Sequence, residues 1–219
     1  MNGKLNPIIV QSFEVSFENN CLILFGEAYL FIKGNAGITV DWDEENISAN
    51  FFNYIDHAEK AIAWSINVSD EYRLYDDAVI KGRKAAKGAY RIDFRLTTNY
   101  EKRRIEYFVE AKNLIETDCL KSGRATKINA KALQERYIET GIDKYCTGKY
   151  PTRGCLIGYV LQGDLKKIVE KMNLILEKRN RNVELLQIID STIPGLDYCY
   201  QSIHNNRIKL KHFLLPFSA

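Results

Sequence analysis

The stretch RIDFRLTTNYEKRRIEYFVEAKNL, residues 91–114, constrains the fold more than any other part of the chain. Two runs of alternating side chains flank a polar turn. In the first run Tyr90, Ile92, Phe94 and Leu96 share one face, and Arg91, Asp93 and Arg95 share the other. In the second, Ile105, Tyr107, Val109 and Ala111 alternate with Glu106, Phe108, Glu110, Lys112 and Leu114. A period of two marks a half-buried strand, so the segment predicts an antiparallel hairpin. Both strands carry charge near their middles, where a sheet interior tolerates it poorly.

The hairpin register gives those charges a purpose. Residues opposed across a symmetric hairpin have numbers of constant sum. Setting Asp93 opposite Glu110 centres the turn between Glu101 and Lys102, inside TTNYEKRR. Opposed Cβ atoms lie about 4.5–5.5 Å apart, and two carboxylates at that range repel. A divalent cation relieves the repulsion. Mg²⁺ takes oxygen ligands, so Asp93, Glu110 and the backbone carbonyl of Ala111 form a candidate set. Lys112 follows Glu110 by two residues and projects from the same face. Its ammonium would orient or deprotonate an attacking water, or offset charge growing on a phosphate, and the cation would polarise a phosphodiester. The rival reading is a salt-bridge cluster: Asp93 with Arg91 or Arg95, and Glu110 with Lys112 or Lys102. Phe108, Val109 and Leu114 make the second strand look central, which favours the cation site.

The rest of the chain reads as alternating helices and strands. Residues 47–66 carry a helical stripe of Phe51, Phe52, Ile55, Ala58, Ile62 and Ile66, with Ser48 able to cap its start. Residues 8–41 are apolar with Gly26, Gly34 and Gly37, and fit either short strands or a helix with a strand. Residues 69–88 read as a polar turn with a short helix or an irregular strand. Residues 129–148 predict a helix, and GCLIGYVL (154–161) a strand buried on both faces. The intervening helix makes that strand parallel to the one before it. Residues 163–180 predict an amphipathic helix with Leu165, Ile168, Val169, Met172, Leu174, Ile175 and Leu176 facing inward. Strands follow at 183–190 and at 207–217, where Pro216 ends the last. The fold class is α/β, a mixed sheet flanked by helices, in a single domain over 1–219.

Asp93 followed at a modest distance by VEAKNL resembles the PD-(D/E)xK, or restriction-endonuclease-like, nuclease superfamily. The resemblance implies an α-β-β-β-α-β core over about 47–161, with 1–46 and 162–219 as extensions packed on it. It implies Asp93 and Glu110 as metal ligands, Lys112 as the catalytic lysine, and Mg²⁺ as cofactor with Mn²⁺ as substitute. Many members add an acid from the first helix; here Glu59 stands first, with Asp56 and Glu71 behind it, and a solvated face is the rival role for Glu59. The family's proline before the first acid is replaced by Ile92. Gln134 and Tyr137 fall one residue short of the Gln-x-x-x-Tyr spacing of exonuclease-like members. The implied activity is a metal-dependent endonuclease acting on DNA, with RNA not excluded, in a restriction or phage-defence setting. The alternative is a non-catalytic nucleic-acid-binding or scaffold subunit with the same fold.

Charge distribution bears on the substrate. Residues 1–80 hold four basic and thirteen acidic side chains, a net of −9, whereas residues 81–153 hold eighteen and nine, a net of +9. A basic tract of that size suits a phosphate backbone, or else a solvated surface. Lys121, Arg124, Lys127, Lys131 and Arg136 surround the candidate site. Arg124, Lys127 and Lys131 are the expected phosphate contacts there, joined by Lys149 and Arg153 with Tyr150 available for stacking. Ser202, His204 and Arg207 approach the core without an assigned role. No P-loop, zinc finger or homeodomain pattern is present, so target choice is expected from a homodimer, a partner ATPase or methyltransferase subunit, or loops. The five cysteines contain no Cys-x-x-Cys pair, and the three histidines show no zinc spacing with them. Reduced thiols in a cytoplasmic protein are expected. The N-terminus does not read as a signal peptide. CLILFGEAYLFI (21–32), broken by Glu27, is too short to span a membrane.

Overall fold

The structure, a computed structural model, describes residues 6–123, 125–204 and 208–218. It opens with a 29-residue helix, α1 (Pro7–Asn35). Pro7 presets the first helical turn, and Asn6 caps it by accepting from the Ile8 N–H at 3.0 Å. Phe17, Cys21, Leu24, Phe25, Ala28 and Ile32 form its buried stripe, at the three-and-four spacing of an amphipathic helix. Gly26 lets α1 approach the turn at 193–195, since a Cβ there would sit 2.1 Å from the Pro194 carbonyl oxygen. The segment that the sequence left open is therefore one helix.

Helix α2 (Glu44–His57) starts after Asp43 with two acids in its first turn, which complement the positive end of the helix dipole. Ser48 is no cap. It lies buried inside α2, its hydroxyl 3.2 Å from that of Tyr159. The chain turns extended at Ala58 before the short helix α3 (Glu59–Ala63). That break resets the helical phase, so Ile62, expected in the stripe, is 71% exposed.

Next come strand β1 (Asn67–Leu74), helix α4 (Asp77–Ile80) and the hairpin of β2 (Tyr90–Tyr100) and β3 (Arg103–Ile115). Strands β4 (Cys119–Leu120) and β5 (Lys127–Ile128) form a small separate ladder. The following helical segment comprises α5 (Ala130–Arg136), a π-helical turn (Tyr137–Ile142) and α6 (Asp143–Cys146). It crosses over to strand β6 (Gly154–Gln162), which pairs parallel to β3 as expected. Helix α7 (Leu165–Lys178) and strands β7 (Gln187–Ile189), β8 (Cys199–His204) and β9 (Ile208–Pro216) complete the chain. Leu174 is exposed, because it sits about 200° around the helix from Met172, away from the stripe of Leu165, Ile168, Val169, Met172 and Leu176.

Seven strands form one mixed sheet in the order β1-β2-β3-β6-β9-β8-β7. The tail supplies three of them, so the sheet runs unbroken past residue 161 rather than ending in an appended extension. Two cores cover its two faces. Along β6, Cys155, Ile157, Tyr159 and Leu161 pack with α1 and α2, while Leu156 and Val160 pack with the π turn and α7. This strict alternation is what a strand buried on both sides requires. The alternation fails in β2. Phe94 and Leu96 join the first core but Ile92 joins the second, so the strand changes face at Asp93.

Candidate active site

The face change at Asp93 builds the site. The β2–β3 ladder keeps the constant-sum register from Tyr100↔Arg103 to Phe94↔Val109. Continued by one step it sets Asp93 against Glu110, but there the ladder opens. The Asp93 carboxylate instead accepts the Ala111 N–H at 2.6 Å, replacing a backbone partner. On the other side, the β1–β2 pairing passes from Asp70↔Phe94 to Tyr72↔Ile92 and skips Glu71, whose φ is +42°. Such an interruption bends a strand and re-aims its side chains.

Lys112 lies at the centre of the site, 4% exposed. Its ammonium is 2.7 Å from Glu110 Oε1, 3.0 Å from Glu44 Oε1 and 3.7 Å from Asp93 Oδ2, and donates to the Ala111 carbonyl at 2.6 Å. Three carboxylates from α2, β2 and β3 thus converge on one cation. Glu44 also accepts the Asn113 N–H through Oε2 at 3.1 Å and Arg136 through Oε1 at 3.1 Å. Lys144 stands 3.6 Å from Glu110 Oε1 and donates to the Tyr150 hydroxyl. Tyr150 is buried and donates to the Arg91 carbonyl, so it braces the site from beneath and has no face free for stacking. Glu110 is 2% exposed, and its Oε2 has no hydrogen-bond partner among the described residues.

The electrostatics follow from this crowding. Burial, then the charge of Glu110, raises the Asp93 carboxyl to about 7 despite help from Lys112 and the Ala111 N–H. Burial works against the Lys112 ammonium, but Glu110, Asp93 and Glu44 outweigh it and hold the lysine protonated above its usual range. Burial pulls Lys144 down, with Lys112 adding repulsion. The arrangement can hold a cation, keep a fixed positive charge beside it, and present both in a cleft of about 320 Å³ lined by Asp93, Glu110, Lys112, Arg136 and Lys144.

The residues expected from sequence divide. Asp93, Glu110, Ala111 and Lys112 come together. Glu59 does not join them; it is exposed at the start of α3, and Asp56 is exposed in the last turn of α2. Glu44 supplies the helix acid instead, from the first turn of α2 rather than its later part. Glu71 lines the same cleft and pairs with Arg91. Lys149 lies over the Tyr90 ring, outside the cleft lining. Lys127 pairs with Asp118 and Lys131 with Glu135, both outside the cleft lining. Arg153 pairs with Glu14 of α1, and Arg124 falls outside the described residues. Arg95, one rival partner for Asp93, binds Glu106. Sequence reasoning missed Lys144 and Glu44; the acids of DWDEEN just before a helical stripe were the available signal for the latter.

A second polar cluster lies around β8 and β9. Tyr137 donates to His212 Nδ1, His212 Nε2–H to Ser202, Ser202 to His204 Nε2, and His204 Nδ1–H to Glu184. This assignment satisfies every ring nitrogen with both histidines neutral. Burial lowers His204, and lowers His212 to about 3. Although the sequence showed no zinc spacing, ligand atoms of Cys146, Glu184 and His204 fall within 4.8 Å of one another. Glu184 is already bonded to both Arg181 and His204. Gln134 bonds the Ile115 carbonyl, so neither it nor Tyr137 reaches the acid cleft. Arg207 lies outside the described residues. Among the described residues, no helix is long and apolar enough to cross a membrane.

No family model matches the chain, and neither a curated protein nor a solved structure does.

Proposed function

We propose that this chain is a divalent-metal-dependent nuclease that hydrolyses phosphodiester bonds in DNA. The observation that carries the reading is the convergence of Asp93, Glu110 and Glu44 on Lys112 with Glu110 Oε2 left unpartnered. A buried carboxylate oxygen without a donor is costly, and it suits a hard cation. The order α2, β1–β2–β3, α5, β6 supports the restriction-endonuclease-like core that the Asp93 and VEAKNL pattern resembles.

Asp93, Glu110 and the Ala111 carbonyl would hold Mg²⁺, with Glu44 as the helix acid. The cation would supply Lewis acidity toward the phosphate and a more acidic water. Lys112, beside that set, would steady negative charge growing on the phosphate and orient or deprotonate the attacking water. Arg136 and Lys144 line the cleft and would hold flanking phosphates.

The test is cleavage of plasmid, linear duplex, single-stranded DNA and RNA with Mn²⁺. Wild type is expected to cut DNA and Lys112→Ala to be inactive. Equal cutting by the two proteins would refute the assignment of Lys112.

A further inference from the structure

We propose that the open outer face of β1, β2 and β3 is a track that leads a single-stranded nucleic acid from the hairpin tip to the acid cleft. Tyr75 is its base-stacking ring, and Arg103, Arg104 and Lys149 are its phosphate contacts. The inference rests on the nuclease reading and adds the form and the path of the substrate.

Strand β3 sets the direction. Arg104, Glu106, Phe108 and Glu110 alternate onto one of its faces, opposite the Ile105, Tyr107 and Val109 that enter the first core. At about 3.3 Å per residue they span about 20 Å, from the hairpin tip to the acid cluster. On β2 the same face carries Arg95, Thr97 and Asn99, none of them buried, so this end of the sheet is open. Two adjoining cavities follow that line. One, of about 260 Å³, is lined by Arg103, Arg104 and Arg153. It shares Glu106, Phe108 and Pro151 with the next, of about 460 Å³, whose walls include Tyr72, Tyr75, Tyr90 and Lys149. Tyr90 in turn lines the acid cleft. The charges in the walls do not cancel. Glu14, Glu106 and Asp76 are already bonded to Arg153, Arg95 and Lys84. Arg103, Arg104 and Lys149 are exposed, and no carboxylate pairs with them among the described residues. Unpaired cations along a groove suit a polyanion. Cations lie over the rings of Tyr72 and Tyr90. Tyr75, between β1 and α4, is 53% exposed, and no ring or cation stacks on it among the described residues. An acidic peptide would meet the charges and leave that ring unused, whereas a nucleic acid meets both. A duplex keeps its base faces within the stack, so the strand that uses Tyr75 is single.

The test is binding in chelator, where no strand is cut. Fluorescence anisotropy follows a short labelled oligothymidylate, an abasic strand of equal charge, a duplex of equal length and polyglutamate. Wild type should bind the oligothymidylate most tightly. Tyr75→Leu should weaken that binding about fivefold or more and leave the abasic strand unaffected. Joint Arg103→Gln and Arg104→Gln should weaken both strands and make the slope of log K against log salt shallower by about 1.4. Joint Lys166→Gln and Lys178→Gln, the same charge loss at exposed positions of α7, should bind as wild type does. No binding by wild type, equal affinity for the abasic strand, the duplex or polyglutamate, or equal losses in the two double variants overturns the track. If cleavage depends on Lys112 while Tyr75→Leu and the arginine double variant cut single strands as fast as wild type, this inference falls and the nuclease reading stands. Strand binding that depends on Tyr75 and the two arginines, with no cleavage under any divalent cation, supports the track and sinks the nuclease reading.

Discussion

Asp93→Asn is expected to stabilise the metal-free protein while abolishing its activity. The carboxyl titrates near 7 in the folded chain against 3.8 when unperturbed. A raised folded value means that folding favours the protonated acid. The stability this represents is fully present below about pH 3.8 and is lost as pH rises through 7. At roughly 1.4 kcal/mol per pH unit, the ionised carboxylate costs about 4 kcal/mol at pH 8. The side chain keeps 23% exposure, and solvent screening trims the gain to about 2–4 kcal/mol. Asparagine can still accept the Ala111 N–H, so the replacement removes the charge and keeps the bond. Urea unfolding in chelator at pH 8 should show the gain, and at pH 4 it should nearly vanish. Glu59→Gln, an exposed control, should stay within about 0.5 kcal/mol at both. A gain of equal size at pH 4 and pH 8, or no gain at pH 8, would refute the reasoning, because the strain would then not be a buried charge at Asp93.

Three further outcomes are expected. Mg²⁺ or Mn²⁺ should raise the melting temperature of wild type, but not of folded Asp93→Ala or Glu110→Ala; a rise of equal size in all three would place the cation elsewhere. Lys112→Met should lower metal-free stability by roughly 3–5 kcal/mol, since it strips the counter-ion from three acids, and Mn²⁺ should restore part of it; an unchanged urea midpoint would contradict the central place of Lys112. His212 is depressed to about 3, so its contribution is present above about pH 6.5 and declines as pH falls toward 3. In the Asp93→Asn background, which removes the opposing trend, stability should drop by about 2 kcal/mol from pH 7 to pH 5, and His212→Gln should flatten that slope.

The hairpin was legible because its information is local. Alternation sets the faces, and a polar turn sets the register, so the turn at Glu101–Lys102 and the neighbourhood of Asp93 and Glu110 follow from short-range rules. The face change at Asp93 was not legible. It depends on Glu71 breaking the β1 ladder and on the Asp93 carboxylate replacing a backbone acceptor, and both are events between strands. Helix α1 carried its stripe in plain view, from Phe17 to Ile32, but its glycines and aromatics also suit strands. Only the fit of Gly26 against Pro194 explains a glycine in mid-helix. Glu59 lost its place to Glu44 because the chain breaks at Ala58, and a periodic stripe read across that break assigns the wrong turn to the sheet.

The two readings posed by the sequence, a cation site or a salt-bridge cluster, turn out to use the same atoms. The Glu110–Lys112 ion pair exists, as the second reading required. Arg91 and Arg95, which should have neutralised Asp93, bind Glu71 and Glu106 instead. A structural cluster evolved only for stability would be expected to match its charges and satisfy its oxygens. This one leaves Glu110 Oε2 bare and holds Asp93 near half-protonation at neutral pH. Lys112 then acts as a resident counter-ion that keeps the acids together until a stronger one arrives. On that view the instability at Asp93 favours binding a cation, and the stability gained by Asp93→Asn and the melting shift produced by Mn²⁺, which follows cation concentration and affinity, should both be positive. If the two differ in sign, the acids are not a cation site.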